Sequence, residues 1–579
     1  MLLGRSGQAA LVRSRRPSDA GLVDRSCLER LGDRLILVGE ARLDGVEDLR
    51  RRLSADGSEQ AATAGPVRLC LLAYDRWGER CVDFIHGDFA FVVWDDVHQR
   101  FFAARDRFGK FRLFHGSRDS IGVMGNSLDW VVAQVAPGRD VDEFWIADYL
   151  TVGWACEAHR TAYRDVERLP PAHTLTWSSR GTSSRRYWTL DVPEPLYLRR
   201  RDDYLERFRF LVLQAIADRM PEEGVGIALS GGLDSATLAA GAVRLAGATA
   251  RVDAHFYDYE RFPEERRFAD LSARHLGIDL QVISLDEVRY DPEWQESGIR
   301  SVEPEASIVW AKHLRMVNDA LTARSAVWFE GEGPDNALLF ERNPYLAWLI
   351  RRRAWPRLAR DLVSYAVVKG REGWLESLRR HSGRRREPSL GEPLPAWISP
   401  DLVHRLHLHE RLETLKARRI GGHPWHPGAI ASFMNPVWQA RFETFTFEGT
   451  LSAIEWRHPF LDLRLLQFML SLPPVPWGWK KDIIRKAMRG WLPEPVLRRP
   501  KSPLPFFPTA LSLRREGMPR LVAPTALSAY VDSRRLPQPG DDEMALEQAM
   551  SVFVVDYWLA QQRSGVPFTS PEDGTKIAQ

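Results

Sequence analysis

The stretch VGIALSGGLDSATLAAGAVRLAG (225–247) decides the fold. Residues 225–229 form a short apolar run that reads as a buried strand. Ser230, Gly231 and Gly232 read as a tight turn, and the small apolar residues from Leu233 onward as a helix. A strand, a glycine turn and a helix in that order aim backbone N–H groups and the positive end of the helix dipole at one spot. That spot suits a phosphate or a pyrophosphate. The glycines let the backbone come close, and Ser230 and Ser235 can add hydrogen bonds. Asp234 has the wrong charge for a direct phosphate contact, but it makes sense with a divalent metal between the two. A turn that binds nothing is the plain alternative. Ser-Gly-Gly-x-Asp-Ser behind a buried strand is more specific than a lone glycine pair.

The same alternation continues outward. YLERFRFLVLQAIADRM (204–220) is helical, ARVDAHFYDY (250–259) a strand, FADLSARHLGI (268–278) a helix and LQVISL (280–285) a strand. HLRMVNDALTA (313–323) is helical again, and SAVWFEGEG (325–333) is a strand running into a glycine turn. Strands alternating with helices predict a doubly wound α/β domain with a mainly parallel sheet. Ligands of such sheets bind beyond the carboxyl ends of the strands. The acidic turn FEGEGPDNAL (329–338) can therefore reach the same crevice as the first turn. There Asp335 could share a metal with Asp234, and Glu332 could accept a proton from an attacking amine. An acidic exposed turn without a role is the alternative.

Two later blocks add polar groups, IEWRHPFLDLRLLQF (454–468) and WKKDIIRKAMRGWLPEPVLRRPKSPLP (479–505). Glu455, Arg457 and Asp462 lie in an otherwise apolar stretch and read as a structural ion-pair network. Lys501 lies in a proline-flanked loop, where a fixed cation could stabilise negative charge in a transition state. Only nine of the 80 basic residues are lysines, so each lysine stands out.

The first 140 residues are strand-rich. DRLILVGEARL (33–43), DFAFVVWDD (88–96) and the run from Arg100 read as strands, and VEDLRRRL (46–53) as a helix started by Asp44 or Gly45. Strands with one or two helices predict an α+β layer sandwich. LPPAHTLTWSSRGTSSRRYW (169–188) reads as a linker at a domain junction. Residues 345–430 are arginine-rich and mostly helical, interrupted at REPSLGEPLPAWISP (386–400), and suit either a solvated surface or an anionic partner. EMALEQAMSVFVVDYWLAQQ (543–562) sets Leu546, Met550, Phe553 and Tyr557 on one face and predicts a docked helix.

Composition bounds the answer. The chain has 579 residues, enough for two or three domains, and 44% hydrophobic content with 21 Trp excludes disorder over most of its length. A formal charge of +3 gives no support to nucleic-acid binding. Cys27, Cys70, Cys81 and Cys156 form no CxxC pair, which predicts reduced, mostly buried thiols and a cytoplasmic protein. No signal peptide is recognisable, and no apolar run is long enough to span a membrane.

Together the blocks resemble the asparagine synthetase family. LSGGLDSATLAA matches its PP-loop, GEGPDNAL its Gly-Glu-Gly-x-Asp-Glu turn, and EWRHPFLD, KDIIRKAM and LPEPVLRRPKSPL its C-terminal blocks. VGEARLDG, HGDFAFVVWD, FFAARDRFGKFRLF, RTAYRDVERLPPAHTLTW and RRYW resemble its glutaminase-type domain and junction. The resemblance implies two domains. Residues 1–190 would be a degenerate α+β Ntn-glutaminase-like sandwich. Residues 191–579 would be an α/β PP-loop ATP pyrophosphatase (adenine nucleotide alpha hydrolase-like) synthetase. ATP would rest on Leu229, Ser230, Gly231, Gly232, Asp234, Ser235 and Gly331, with Mg²⁺ on Asp234 and Asp335. Glu332 and Lys501 would be catalytic.

Two departures narrow this. The family's nucleophile is a cysteine directly after the initiator Met, whereas Leu2 follows Met1 here, and Val38 opens the segment that would hold glutamine. Glutamine hydrolysis is therefore expected to be absent. Pro334-Asp335-Asn336 replaces the usual small residue, Asp and Glu, which implies a divergent substrate pocket. A synthetase without glutaminase uses an amine already on its substrate, as β-lactam synthetases and lasso peptide cyclases do. Residues 345–430 and HPWHPGAIASFMNPVWQARFE (423–443) look most like the cyclase branch. That branch implies a precursor core peptide as partner, with room for a leader-binding protein and a leader peptidase, and no nucleic acid or membrane. A small-molecule amide synthetase and a non-catalytic nucleotide-binding homologue remain as alternatives.

Overall fold

The computed structural model describes residues 2–3, 10–11 and 26–563, without 56–58, 120, 137, 193, 248–249, 260–262, 286–290, 371–393, 420–421, 445–453 and 501–506. β-Branched and aromatic residues build a six-stranded antiparallel sheet from β1 (Ser26–Leu31), β2 (Leu35–Leu43), β3 (Gly87–Asp95), β4 (Arg100–Arg105), β5 (His173–Ser178) and β6 (Gly181–Arg186). The order is β6-β5-β4-β3-β2-β1. Alternation along β2 and β3 turns Leu35, Leu37, Phe89, Phe91 and Val93 to one face, where the helices Val46–Ser54 and Pro66–Trp77 cover them. On the other face lies a three-stranded sheet, and Gly122 of that sheet abuts the ring of Trp177. Cys70 and Cys81 are buried in this core and Cys156 is buried elsewhere, while the side chain of Cys27 lies outside the described residues.

The stretch read as a linker, 169–188, is instead the hairpin β5–β6, which forms one edge of the large sheet. Its Thr and Ser residues mask the period of two, and only Leu175 is strongly apolar and buried. The turn chemistry belongs to Ser179-Arg180-Gly181 inside the hairpin rather than to a domain boundary.

The second half is built on a five-stranded parallel sheet: β7 (Gly224–Ala228), β8 (Arg251–Asp258), β9 (Asp279–Ser284), β10 (Val327–Phe329) and β11 (Glu455–Arg457). Their order is β9-β8-β7-β10-β11, with every ladder parallel. The order reverses between β7 and β10. Such a switch point opens a crevice at the strands' carboxyl ends. The helix α1 (Leu233–Ala246) leaves β7, and its Ala236, Leu238, Ala239, Ala240 and Ala242 are fully buried.

The halves share cores and charges. The terminal helix Glu543–Arg563 buries Leu546, Met550, Phe553 and Tyr557 together with Trp145, Ile146 and Leu150 of the N-terminal half. At the junction Arg219 donates to Asp44 at 2.8 Å and to Asp462 at 3.0 Å, and Gly45 N–H donates to Asp218 at 3.0 Å. Asp44, Asp218 and Asp462 converge closely enough to suggest a metal, but Arg42, Arg219 and Arg464 pair with them. Arg457 pairs with Glu455 at 2.6 Å beside this network, so the three residues 455, 457 and 462 are structural. Among the described residues, no helix is long and apolar enough to cross a membrane.

Candidate active site

Both glycine turns emerge at the switch point. After β7, Leu229 is buried and its N–H donates to the His255 carbonyl at 2.9 Å, which ties the turn to β8. Ser235 Oγ accepts from the Ser230 N–H at 3.1 Å, and Ser230 Oγ accepts from the Gly232 N–H at 3.3 Å. The two hydroxyls lie 3.1 Å apart. Gly232 is the N-cap of α1 with no side chain covering the helix end. Ser230, Gly231, Gly232 and Ser235 thus form a polar cup at a helix N-terminus, where an anion is favoured. Arg499 closes one side, donating to the Gly231 carbonyl at 2.6 Å and pairing with Glu265.

The second turn lies against the first. A Cβ on Gly331 would fall 3.1 Å from the Ser235 nitrogen and 3.4 Å from the Asp234 Cβ. Contact this close requires the small residue, and it sets Asp234 and Asp335 together. Both carboxylates meet one ammonium: Lys481 Nζ pairs with Asp234, and lies 2.6 Å from Asp335. Burial alone would lower the Lys481 pKa, but the two aspartates hold it above its ordinary value. Lys481 was not among the expected site residues. Its signal was its rarity and its place in KDIIRKAM. Lys480 and Lys481 sit at φ 47° and 58°, a left-handed backbone that costs non-glycine residues on the order of 1 kcal/mol each.

Glu332 lies close enough to Asp335 and Asp234 to feel their charge. Arg441 donates to it at 2.5 Å and to Glu330 at 2.9 Å. Burial raises the Glu332 carboxyl above its usual range, with Arg441 pulling the other way. A carboxylate with raised basicity suits proton acceptance. Lys501 lies outside the described residues; the described chain before it is anchored at Arg499.

Beside Lys481 stands an aromatic wall. Phe340 packs on Trp479 with ring centroids 4.8 Å apart and on Tyr365 at 6.1 Å. Arg342 lies over the Tyr365 ring at 4.7 Å. Behind the wall, the Glu341 carboxylate accepts from the N–H groups of Gly428 at 2.7 Å and Ala429 at 3.0 Å, and meets His426 Nδ1 at 2.6 Å. The stretch 423–443 is thereby held against the site.

The donor set fits a divalent cation. Two carboxylates that face one ammonium offer hard oxygen ligands at a point that already holds positive charge, which suits Mg²⁺ better than a soft metal.

Comparison with known proteins identifies the family of each half. A glutamine amidotransferase domain family matches residues 31–188, and the asparagine synthase family matches residues 207–436 and 449–551. The chain is 26% identical over 491 residues to asparagine synthetase (glutamine-hydrolyzing) 3 of Bacillus subtilis, covering 82% of this chain and 76% of that protein. It is 25% identical over 516 residues to a putative asparagine synthetase (glutamine-hydrolyzing) of Mycobacterium bovis, covering 82% and 75%. Among solved structures, an NH3-dependent NAD synthetase from Campylobacter jejuni covers 37% of this chain and 94% of its own, at 14% identity and a TM-score of 0.17, a likeness too slight to build on.

Proposed function

Because this chain belongs to the asparagine synthase family, we propose that it activates a peptide carboxylate with ATP and closes an amide with an amine of the same peptide. The family makes it an ATP-dependent amide-forming ligase; the peptide and the ring are our reading. The observation that carries it is the meeting of the two turns, which sets the phosphate cup, the Asp234–Asp335 pair and Glu332 around one crevice.

A carboxylate is inert to amines at neutral pH, so it must first be activated. In the first step a substrate carboxylate oxygen attacks the α-phosphorus of ATP, forming an acyl-adenylate and releasing pyrophosphate. Ser230 to Ser235 would cradle the phosphates. Asp234 and Asp335 would hold a divalent cation such as Mg²⁺, which when bound neutralises phosphate charge. Lys481, released from the aspartates, would turn its ammonium to the phosphates. In the second step the amine attacks the acyl carbon and AMP leaves. Glu332 would take the amine proton, and Lys501 would stabilise the oxyanion.

Both reacting groups on one molecule supply proximity, which can reach about 7–11 kcal/mol. The wall of Phe340, Tyr365 and Trp479 supports a peptide over a free amino acid, since it offers stacking area beyond the reacting groups. Val38, where the family's glutamine-holding segment has Asn, supports an amine source other than glutamine.

The test is the intact mass of a linear peptide encoded beside this chain's gene, freed of its leader and incubated with the protein and MgATP. Loss of one water with AMP formation is expected. AMP formation with aspartate and ammonia, and an unchanged peptide, would move the activity to small-molecule amides. Glu332→Gln is expected to slow ligation by about 100-fold or more while ATP still binds.

A further inference from the structure

The turn after β4 belongs to the N-terminal half, yet its lysine reaches the ligase site. Asp106 draws this turn shut, accepting from the backbone N–H groups of Phe108 at 2.9 Å, Lys110 at 3.2 Å and Phe111 at 3.2 Å. Arg105 holds it from the other side, donating to the carbonyls of Phe111 at 2.6 Å and Gly109 at 2.9 Å. Gly109 sits at φ +70°, and a Cβ there would come within 2.7 Å of Pro171. Arg105 also donates to Gln439 at 3.1 Å and Glu443 at 3.3 Å. Those two residues lie on the helix Val437–Thr444, which carries Arg441. The turn and that helix are clamped as one unit.

From this fixed base the Lys110 ammonium lies 4.8 Å over the Phe442 ring and 3.3 Å from His458 Nδ1. An ammonium only donates, so Nδ1 accepts and the ring proton sits on Nε2. That Nε2 faces Glu330 Oε2 at 3.3 Å. The other Glu330 oxygen accepts from Arg441 at 2.9 Å, and the same guanidinium nitrogen reaches Glu332 at 2.5 Å.

We propose that Lys110 is a positioning residue of the ligase site, fixing the Glu332 carboxylate through His458, Glu330 and Arg441. The charge states agree with that chain. Burial, and Lys110 next, lower the His458 pKa to about 4, so the ring is neutral. Burial would raise Glu330, but the His458 hydrogen bond and Arg441 hold it down to about 2, so it stays an anion that can grip Arg441. The N-terminal half is then part of the ligase centre, independent of any chemistry of its own. The catalytic meaning of this placement rests on Glu332 acting as proposed above.

The test labels carboxylates of the full chain with a water-soluble carbodiimide and glycine ethyl ester at fixed pH, read residue by residue by peptide mass mapping. Lys110→Met keeps an unbranched side chain of similar reach and removes the donor. Labelling of Glu332 is expected to rise several-fold, while exposed Asp401 and buried Glu303 label as in the parent chain. Lys110→Arg is expected to restore the parent rate. Unchanged labelling of Glu332 would overturn the proposal. So would a rise at Glu332 and Glu303 together, because Lys110 would then only dock the two halves. Full ligation by Glu332→Gln would remove the functional reading and leave the labelling result standing, so the two failures are distinguishable.

Discussion

Gly331 has backbone, not a flexible side chain, as its nearest neighbour across the crevice floor. Gly331→Ala would push Glu332 and Asp335 away from the Ser230–Ser235 turn by a few tenths of an ångström. A misplacement of that order is expected to lower ATP-dependent turnover by roughly 10- to 100-fold. Steady-state kinetics beside a thermal melt checks this, and a melt close to the parent's is expected. At this scale the sequence was legible where a residue sits in a motif. Asp234, Asp335 and Glu332 were read from turns that follow buried strands, and the structure brings those two turns into contact, with Lys481 pairing to both aspartates. Lys481 and Lys110 were not read. Each acts on partners more than 140 residues away in the chain, and no local pattern records such a pairing.

Elements were legible where their period is apolar. The β7 strand and its helix, strands β8, β9 and β10 and the docked terminal helix follow from spacing, whereas the short strand β11 does not. The hairpin β5–β6 was misread because its outward positions are Ser, Thr and Arg and its apolar face is short. The terminal helix Glu543–Arg563 is an element whose loss should be felt globally. Its Trp558 is 1% exposed, packs on Tyr163 of the N-terminal half at 5.9 Å and donates to the Val302 carbonyl at 2.9 Å. Trp558→Ala is expected to cost about 3–5 kcal/mol, read by denaturant unfolding.

For the whole molecule, the fold class of each half was legible but the way the halves interlock was not. The junction is made of arginine–carboxylate pairs drawn from distant segments, such as Arg219 with Asp44 and Arg105 with Glu443. Global stability should also depend on pH through buried histidines. Burial lowers His255 and His458 to about 4, against an ordinary value of 6.5. Below about pH 6.5 the unfolded chain binds protons at these rings that the folded chain refuses until about pH 4, so stability falls as pH falls through that window. Glu330, held down to about 2, adds its loss only below the ordinary carboxyl value of 4.5. Melting temperatures taken from pH 7.5 to pH 5 are expected to decline, and His255→Phe should flatten the slope. The terminal helix has one more consequence, for biosynthesis. Trp145, Ile146 and Leu150 belong to the first third of the chain, yet the partners that bury them emerge from the ribosome near its end. The nascent N-terminal half must carry that apolar surface uncovered through most of translation, a window in which chaperones or neighbouring chains can reach it.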